Sequence, residues 1–457
     1  MIGDGKAKCE TDRRSAVTHA HAWISTALRL GLLVPAAFCL LRLAAAELEF
    51  RGDTPSSVAK AVSVGNTEYR ERLAALQSAN AQSILREATD ADPLASSAWI
   101  ALGLAEERVR IQNHSDNFSA ARQAFETAFR VDHQYATAWA LANFCFRHDD
   151  TECFWRAERR AALRAPQLAD PAAINLGDLR PLLELARNME PSPSALLEQL
   201  TAPTSDPPPT DRPPTAEQAE TFRRQIERAY LNDLIVGNRW EDATIVALRL
   251  ASYPRALHPE INRTQDLARL DDFVNRLLDA RRPNEAVQVW NAYADFTALN
   301  PSRGVVLTNG DFASMPRQTG FDWRFAPQDT YEMHTEWKPS LVEFRFRGQR
   351  FQANAAEQTL LLEQRLPLRA GKFRLRFEYL TRDLSMPTGI RWELQSAKAA
   401  SDLAGSLQSS DQWREASCVF SVPTPGITPL RLVYRREPGT DRAHGTLFLR
   451  HMRWEVL

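Results

Sequence analysis

At about residue 301 the spacing of apolar side chains changes period, and one kind of secondary structure cannot serve both sides of that point. From 57 to 300 the apolar residues recur at helical intervals and Gly is sparse. Beyond 301 they alternate. In SLVEFRFRG, Val342, Phe344 and Phe346 fall on one side of a strand, and Glu343, Arg345 and Arg347 on the other. GKFRLRFEYL does the same, with Phe373, Leu375, Phe377 and Tyr379 opposite Arg374, Arg376 and Glu378. GIRWELQ, CVFSV, PLRLVYRRE and GTLFLRHMRWEVL bring the set to six candidate strands. One apolar and one charged face per strand is what two antiparallel sheets packed face to face require. The expected fold class is α+β multidomain: helical arrays at 57–200 and 216–300, then an antiparallel β-sandwich of jelly-roll type at 302–457.

Between the two arrays TAPTSDPPPTDRPPT, residues 201–215, holds six prolines in fifteen residues and reads as an extended, semi-rigid linker or surface loop. A chain of 457 residues is long enough for more than one core. Its net charge of -1 divides unevenly: 302–457 carries 22 Lys+Arg against 17 Asp+Glu, and the rest 34 against 40. Neither part has the basic field that nucleic acid demands, so nucleic acid is not an expected partner.

The N-terminus speaks to location. Lys6, Lys8, Arg13 and Arg14 precede an apolar run, Leu30 to Leu41, of 12 residues, and Ala44-Ala45-Ala46 follows as a small-residue cleavage signal. Twelve suits the core of a signal peptide better than a span of roughly 20 residues. A 20-residue span reaching back to Ala22 must carry Arg29, at about 2.5–3.5 kcal/mol if central. Residues 1–46 are thus a cleaved export signal or a retained membrane anchor, and either way the body is exported, periplasmic or anchored facing the periplasm. In that oxidising compartment Cys145 and Cys153, which flank FRHDDTE, could form a disulfide or stay as thiols. Their spacing with His148 fits no zinc pattern.

Three Trp/Ala/Pro constellations recur along the first array. Trp99, Leu102 and Gly103 stand as W-x-x-L-G, followed by Ala121, Phe125 and Ala128; Trp139 comes forty residues after Trp99, with Ala161 and Pro166 closing its unit. Ala81, Leu85, Ala88 and Pro93 give the second half of an earlier unit. The pattern resembles the tetratricopeptide repeat. In that arrangement small residues such as Ala121 and Ala128 let antiparallel helices approach, while Trp99 or Phe125 fills the adjoining groove. The insertion RIQNHSDNF and Asn143 in place of Gly depart from it. The resemblance implies a stack whose concave face takes a segment of a protein partner.

The second part resembles the jelly-roll carbohydrate-binding modules of the galactose-binding-like superfamily, which are appended to bacterial polysaccharide-degrading enzymes. The residues that carry the likeness are NGDF at 309–312, the GFDW element, the Gln364 to Gly371 turn and the strand led by Trp413. The whole layout is similar to exported bacterial proteins, some of them associated with cell-surface polysaccharide systems. Those modules often hold a structural calcium through acidic residues after NGDF and in the last strand; here stand Ala313 and Arg450-His451, so calcium is not expected.

Sugar recognition needs an aromatic face and planar hydrogen-bonding groups beside it. Trp323, Tyr331 and Trp337 lie in the connection before SLVEF, with Arg324 and Asp322 alongside, and form the candidate glycan platform, although Trp323 can equally be core. Trp392 and Trp413 read as core, and the arginine-rich strand faces as solvated surface that blunts edge pairing. Catalysis is not expected: there is no phosphate-cradling Gly loop, H-E-x-x-H pair or G-x-S-x-G elbow, and none of the nine histidines stands four from another. No cofactor is called for. The expectation is a non-catalytic exported scaffold that binds protein through its helices and whose sandwich either binds glycan or packs against the helical stack, serving assembly, secretion or retention of cell-surface polysaccharide. Its alternatives are a purely structural interaction protein and a cryptic polysaccharide hydrolase.

Overall fold

In the computed structural model of the protein, residues 70–71, 74–75, 80–164, 179–202, 215–252, 260–325, 333–347, 358–384, 387–395, 402–403, 407–440 and 443–457 are described. Residues 1–46, most of the Pro-rich stretch and Tyr331 lie outside the described residues, and with them the expected export signal or anchor. Among the described residues no helix is long and apolar enough to cross a membrane.

The chain divides into two compact units. In the first, α1 (Ala81–Ala91), α2 (Ser96–Gln112), α3 (Ser119–Val131), α4 (Tyr135–Arg147) and α5 (Thr151–Arg164) pack each on the next. Small residues set the approach. Ala121, Ala124 and Ala128 of α3 are buried, and a Cβ at Gly103 of α2 would stand 2.8 Å from the Phe125 ring. Phe125 in turn lies 5.0 Å from Phe144 of α4. A polar clasp closes the same helices: buried Glu107 accepts a two-pronged bond from Arg147 and lies 3.0 Å from His148 Nε2. Burial alone would raise its carboxyl, but the bonds from Arg147 and His148 outweigh it and hold it below its ordinary range. Cys145 and Cys153 are joined as a disulfide across the α4–α5 turn.

Glu158 of α5 breaks the pattern. It follows Phe154 by four residues and precedes Ala161 by three, the spacing that Phe125 has between Ala121 and Ala128. It thus takes a phenylalanine's place, buried with neither carboxylate oxygen hydrogen-bonded. Burial pushes its carboxyl well above the ordinary value.

α6 (Leu179–Met189) precedes α7 (Pro193–Thr201). In the second unit α7 packs against α8 (Ala216–Val236) and α9 (Trp240–Ala251), and α10 (Glu260–Asp279) and α11 (Pro283–Tyr293) complete the helical part. α8 starts where it does because Thr215 caps it: the Thr215 hydroxyl accepts from Gln218 N–H at 3.2 Å, and the Gln218 side chain accepts from Thr215 N–H at 2.9 Å. Between α8 and α10 runs a buried charge network in which Arg224 and Arg228 meet Asp266. Burial, with Arg224 and Arg269 nearby, lowers Arg228 to about 10.

The alternating sequences form two antiparallel five-stranded sheets. One runs β1 (Arg324–Phe325), β4 (Gln358–Leu368), β9 (Gly426–Arg435), β6 (Ile390–Leu394), β7 (Asp402–Leu403); the other β2 (Met333–Lys338), β3 (Leu341–Arg347), β10 (His444–Val456), β5 (Gly371–Arg382), β8 (Arg414–Val422). Their inner faces share one core, including Phe344, Phe377, Trp392, Leu432 and Leu447. The α+β class and the β-sandwich are as the period change predicts. The second unit holds both this sandwich and α8 to α11, and the connection between them is the segment on which the glycan expectation rested.

Candidate functional site

Residues 307–325 close the corner between helix and sheet. NGDF folds into a tight turn in which Phe312 N–H bonds Asn309 C=O at 3.1 Å. Gly310 is needed there: a Cβ would stand 2.3 Å from the Met452 carbonyl oxygen, because the turn backs onto β10, where Met452 N–H bonds Gly310 C=O at 2.6 Å. Gly320 has φ +56°, and a Cβ on it would meet the Trp290 ring of α11 at 2.4 Å. Buried Gln364 of β4 ties the two ends of the segment, donating to Thr308 C=O at 2.9 Å and Phe321 C=O at 2.8 Å.

These contacts place the predicted glycan residues. Trp323 is fully buried, its ring 6.4 Å from Trp392 and its indole N–H on Asn309 C=O at 3.1 Å. Asp322 is equally buried and accepts from the backbone N–H groups of Arg317 (2.7 Å) and Trp323 (2.8 Å). Burial raises its carboxyl to about 6 against those bonds. Arg324 is half-buried and donates to Asn275 of α10 at 2.7 Å. Trp337 is partly buried against the core, with its indole N–H on Phe312 C=O at 2.9 Å. The described residues of this set therefore form a structural corner and no open aromatic platform, a correction to the sequence expectation. The physical reason is that the segment must cover the Trp290 end of α11 and the sandwich core at once. Arg317 reinforces it, 2.9 Å from Asp271 of α10 and with its guanidinium 5.2 Å above the Tyr293 ring.

A different aromatic is open. Trp413, expected in the core, is 36% exposed, and the Arg450 guanidinium sits 3.9 Å from its ring centroid. It precedes β8 on the outer face of the sheet β2-β3-β10-β5-β8. On that face Arg450 Nε donates to Glu378 at 2.8 Å and His451 Nδ1 lies 3.1 Å from the other Glu378 oxygen. His451 reaches Glu378 because β10 bulges between Arg450 and Arg453, with His451 at φ +53°. The His451 bond, followed by that of Arg450, holds the Glu378 carboxyl below its ordinary range. Around this group the face is laced by ion pairs, Arg376 with Glu455 at 3.0 Å and Glu415 at 3.2 Å among them. An indole face flanked by a fixed guanidinium, a carboxylate and an imidazole is the chemistry that stacks on a pyranose ring and bonds its hydroxyls. Among the described residues no group of three or more His, Cys, Asp or Glu is placed to hold a metal ion.

No family model matches this chain. No curated protein matches it either. Several solved structures are similar to parts of it. One is a CBM4 structure, at 9% identity and TM-score 0.25 over 33% of this chain and 98% of that one. A second is TmCBM61 in complex with β-1,4-galactotriose, at 12% identity and TM-score 0.22 over 33% and 92%. A third is the CBM22-1 xylan-binding domain from Paenibacillus barcinonensis Xyn10C, at 8% identity and TM-score 0.20 over 32% and 91%. Scores of this size assign neither fold nor function, so the sandwich stands on its own strand pairing and core.

Proposed function

We propose that the protein is a non-catalytic, exported adaptor whose sandwich binds glycan on the outer face around Trp413 and whose helical arrays take a protein partner, in the assembly or export of cell-surface polysaccharide. The observation that carries the glycan half is the exposed Trp413 ring with Arg450 fixed against it and Glu378 and His451 at hydrogen-bonding distance. The protein half rests on the tetratricopeptide-like constellations and on the tight α2–α3 approach at Gly103, and export on the reading of residues 1–46. No cofactor enters this function. Membrane attachment would come only from an uncleaved N-terminal segment.

The purely structural reading has one observation in its favour: Arg450 and Glu378 already satisfy one another, as solvated strand faces do. Affinity electrophoresis of the whole protein through gels cast with neutral and acidic polysaccharides separates the two. Retardation by at least one glycan that is lost in Trp413→Ala and Arg450→Ala, while thermal unfolding stays as in the parent, supports the adaptor. No retardation across the panel leaves the structural reading. Release of reducing sugar would move the protein to the hydrolases.

A further inference from the structure

A concavity of about 600 Å³ lies within the second unit and away from Trp413, where the first turn of α11 meets the two turns that carry the chain from one sheet to the other, β4 to β5 and β8 to β9. Its volume is in the range of ligand sites. Pro283, Pro301, Pro367 and Pro425 stand in its walls. Proline fixes its own φ and has no N–H, so these walls are preformed and cannot pair with an incoming strand. The polar groups that line the groove are Asn284, Ser302 and Arg369, all exposed.

The charge of the groove is positive. Arg369, and Arg303 next to Ser302, make no ion pair among the described residues. The acidic residue of the first α11 turn, Glu285, is held by Arg282 at 3.0 Å. The α11 N-terminus adds its partial positive charge to the same end. None of the lining residues is aromatic, so stacking on a neutral sugar is not the chemistry offered. A free guanidinium fork beside amide and hydroxyl groups, set between aliphatic walls, offers two-pronged pairing to a carboxylate and hydrogen bonds to neighbouring hydroxyls. An extended acidic peptide would need backbone donors, and the prolines remove them.

We infer that this groove is a carboxylate-reading subsite for an acidic polysaccharide, seating a uronate residue with its carboxylate on Arg369 and its hydroxyls on Asn284 and Ser302. The inference rests on the reading of the sandwich as a glycan binder but uses a separate surface, so the two can fail separately.

The test is affinity electrophoresis of the full chain in gels cast with polygalacturonate, alginate or hyaluronate, with neutral galactan and poly-L-glutamate as comparisons. The variants are Arg369→Glu, Asn284→Trp to fill the groove, and Trp413→Ala. Arg369 and Asn284 are exposed, so both groove variants keep the fold, checked by thermal unfolding. At least one polyuronate is expected to retard the parent. Arg369→Glu should weaken that retardation about tenfold or more, the loss of one charge-assisted contact, and Asn284→Trp should weaken it by filling the groove, with galactan behaviour unchanged in both. No retardation by any of the three polyuronates, equal retardation of the groove variants and the parent, or equal retardation by poly-L-glutamate would overturn the subsite. Loss of galactan retention in Trp413→Ala alone bears on the adaptor reading and leaves this one standing.

Discussion

Gly320→Ala is the sharpest perturbation of the corner that joins α11 to the sandwich. Two costs are separable at this position. An L-residue at φ +56° loses about 1–2 kcal/mol relative to glycine. The new Cβ would also stand 2.4 Å from Trp290, which is fully buried between Phe321, Tyr293 and Phe296 and has little room to retreat. Overpacking of that kind costs about 1–3 kcal/mol, so the variant should lose about 2–5 kcal/mol in all. Gly439→Ala is the control, because Gly439 has φ +82° with nothing within 4 Å of a Cβ and meets the backbone cost alone. Urea unfolding followed by tryptophan emission measures both variants in the full chain, reading the transition of the second unit. The expected result is a Gly320→Ala loss that exceeds the Gly439→Ala loss by at least 1 kcal/mol or so. Equal losses would mean that the segment does not seat against Trp290.

Glu158→Leu should stabilise the first unit at neutral pH by about 1–3 kcal/mol, because it removes a buried carboxyl whose oxygens have no partner; a higher urea midpoint at pH 7.5 checks this, and a lower one would show that the carboxyl is needed. Asp322 has a folded-state value of about 6 against an ordinary 3.8, so its contribution is fully present below 3.8 and is lost as pH rises through about 6. That contribution is about 3 kcal/mol, and unfolding at pH 4 and pH 7.5 should show a steeper fall for the parent than for Asp322→Ala; parallel curves would contradict the burial argument. Peptide mapping without reductant of protein recovered from the periplasm should yield the Cys145–Cys153 cross-link, whereas two alkylatable thiols would argue against both the disulfide and an oxidising location.

Period alone announced the architecture, because alternation in SLVEFRFRG and GKFRLRFEYL has no helical counterpart. The close helix approach was equally legible in Gly103, Ala121 and Ala128. Glu158 was not, since a single sequence does not show which face of α5 is covered. The corner misled for a related reason: Trp323 and Asp322 are residue types that suit a sugar site, and only the fold reveals that their loop lies under Trp290 and across the Asn309 turn. Trp413 could have been found. Alternation with inward Cys418 and Phe420 puts 419, 417, 415 and 413 on the outer face, and Arg450-His451 stand in the last strand where the calcium-holding modules carry acidic residues. What linked them was cross-strand register, β10 beside β5 beside β8, which is a long-range property.

On the proposed function, glycan meets this protein at the outer face of the sandwich and not at the aromatic corner. Hydroxyl-radical footprinting of the full chain, with and without the polysaccharide that retards it most, reads both surfaces in one measurement. Protection of Trp413 and of the β10 peptide carrying Arg450 and His451 is expected, with Phe321 to Phe325 unchanged. Protection confined to Phe321 to Phe325 or to Trp337, with Trp413 as reactive as in the free protein, would contradict it.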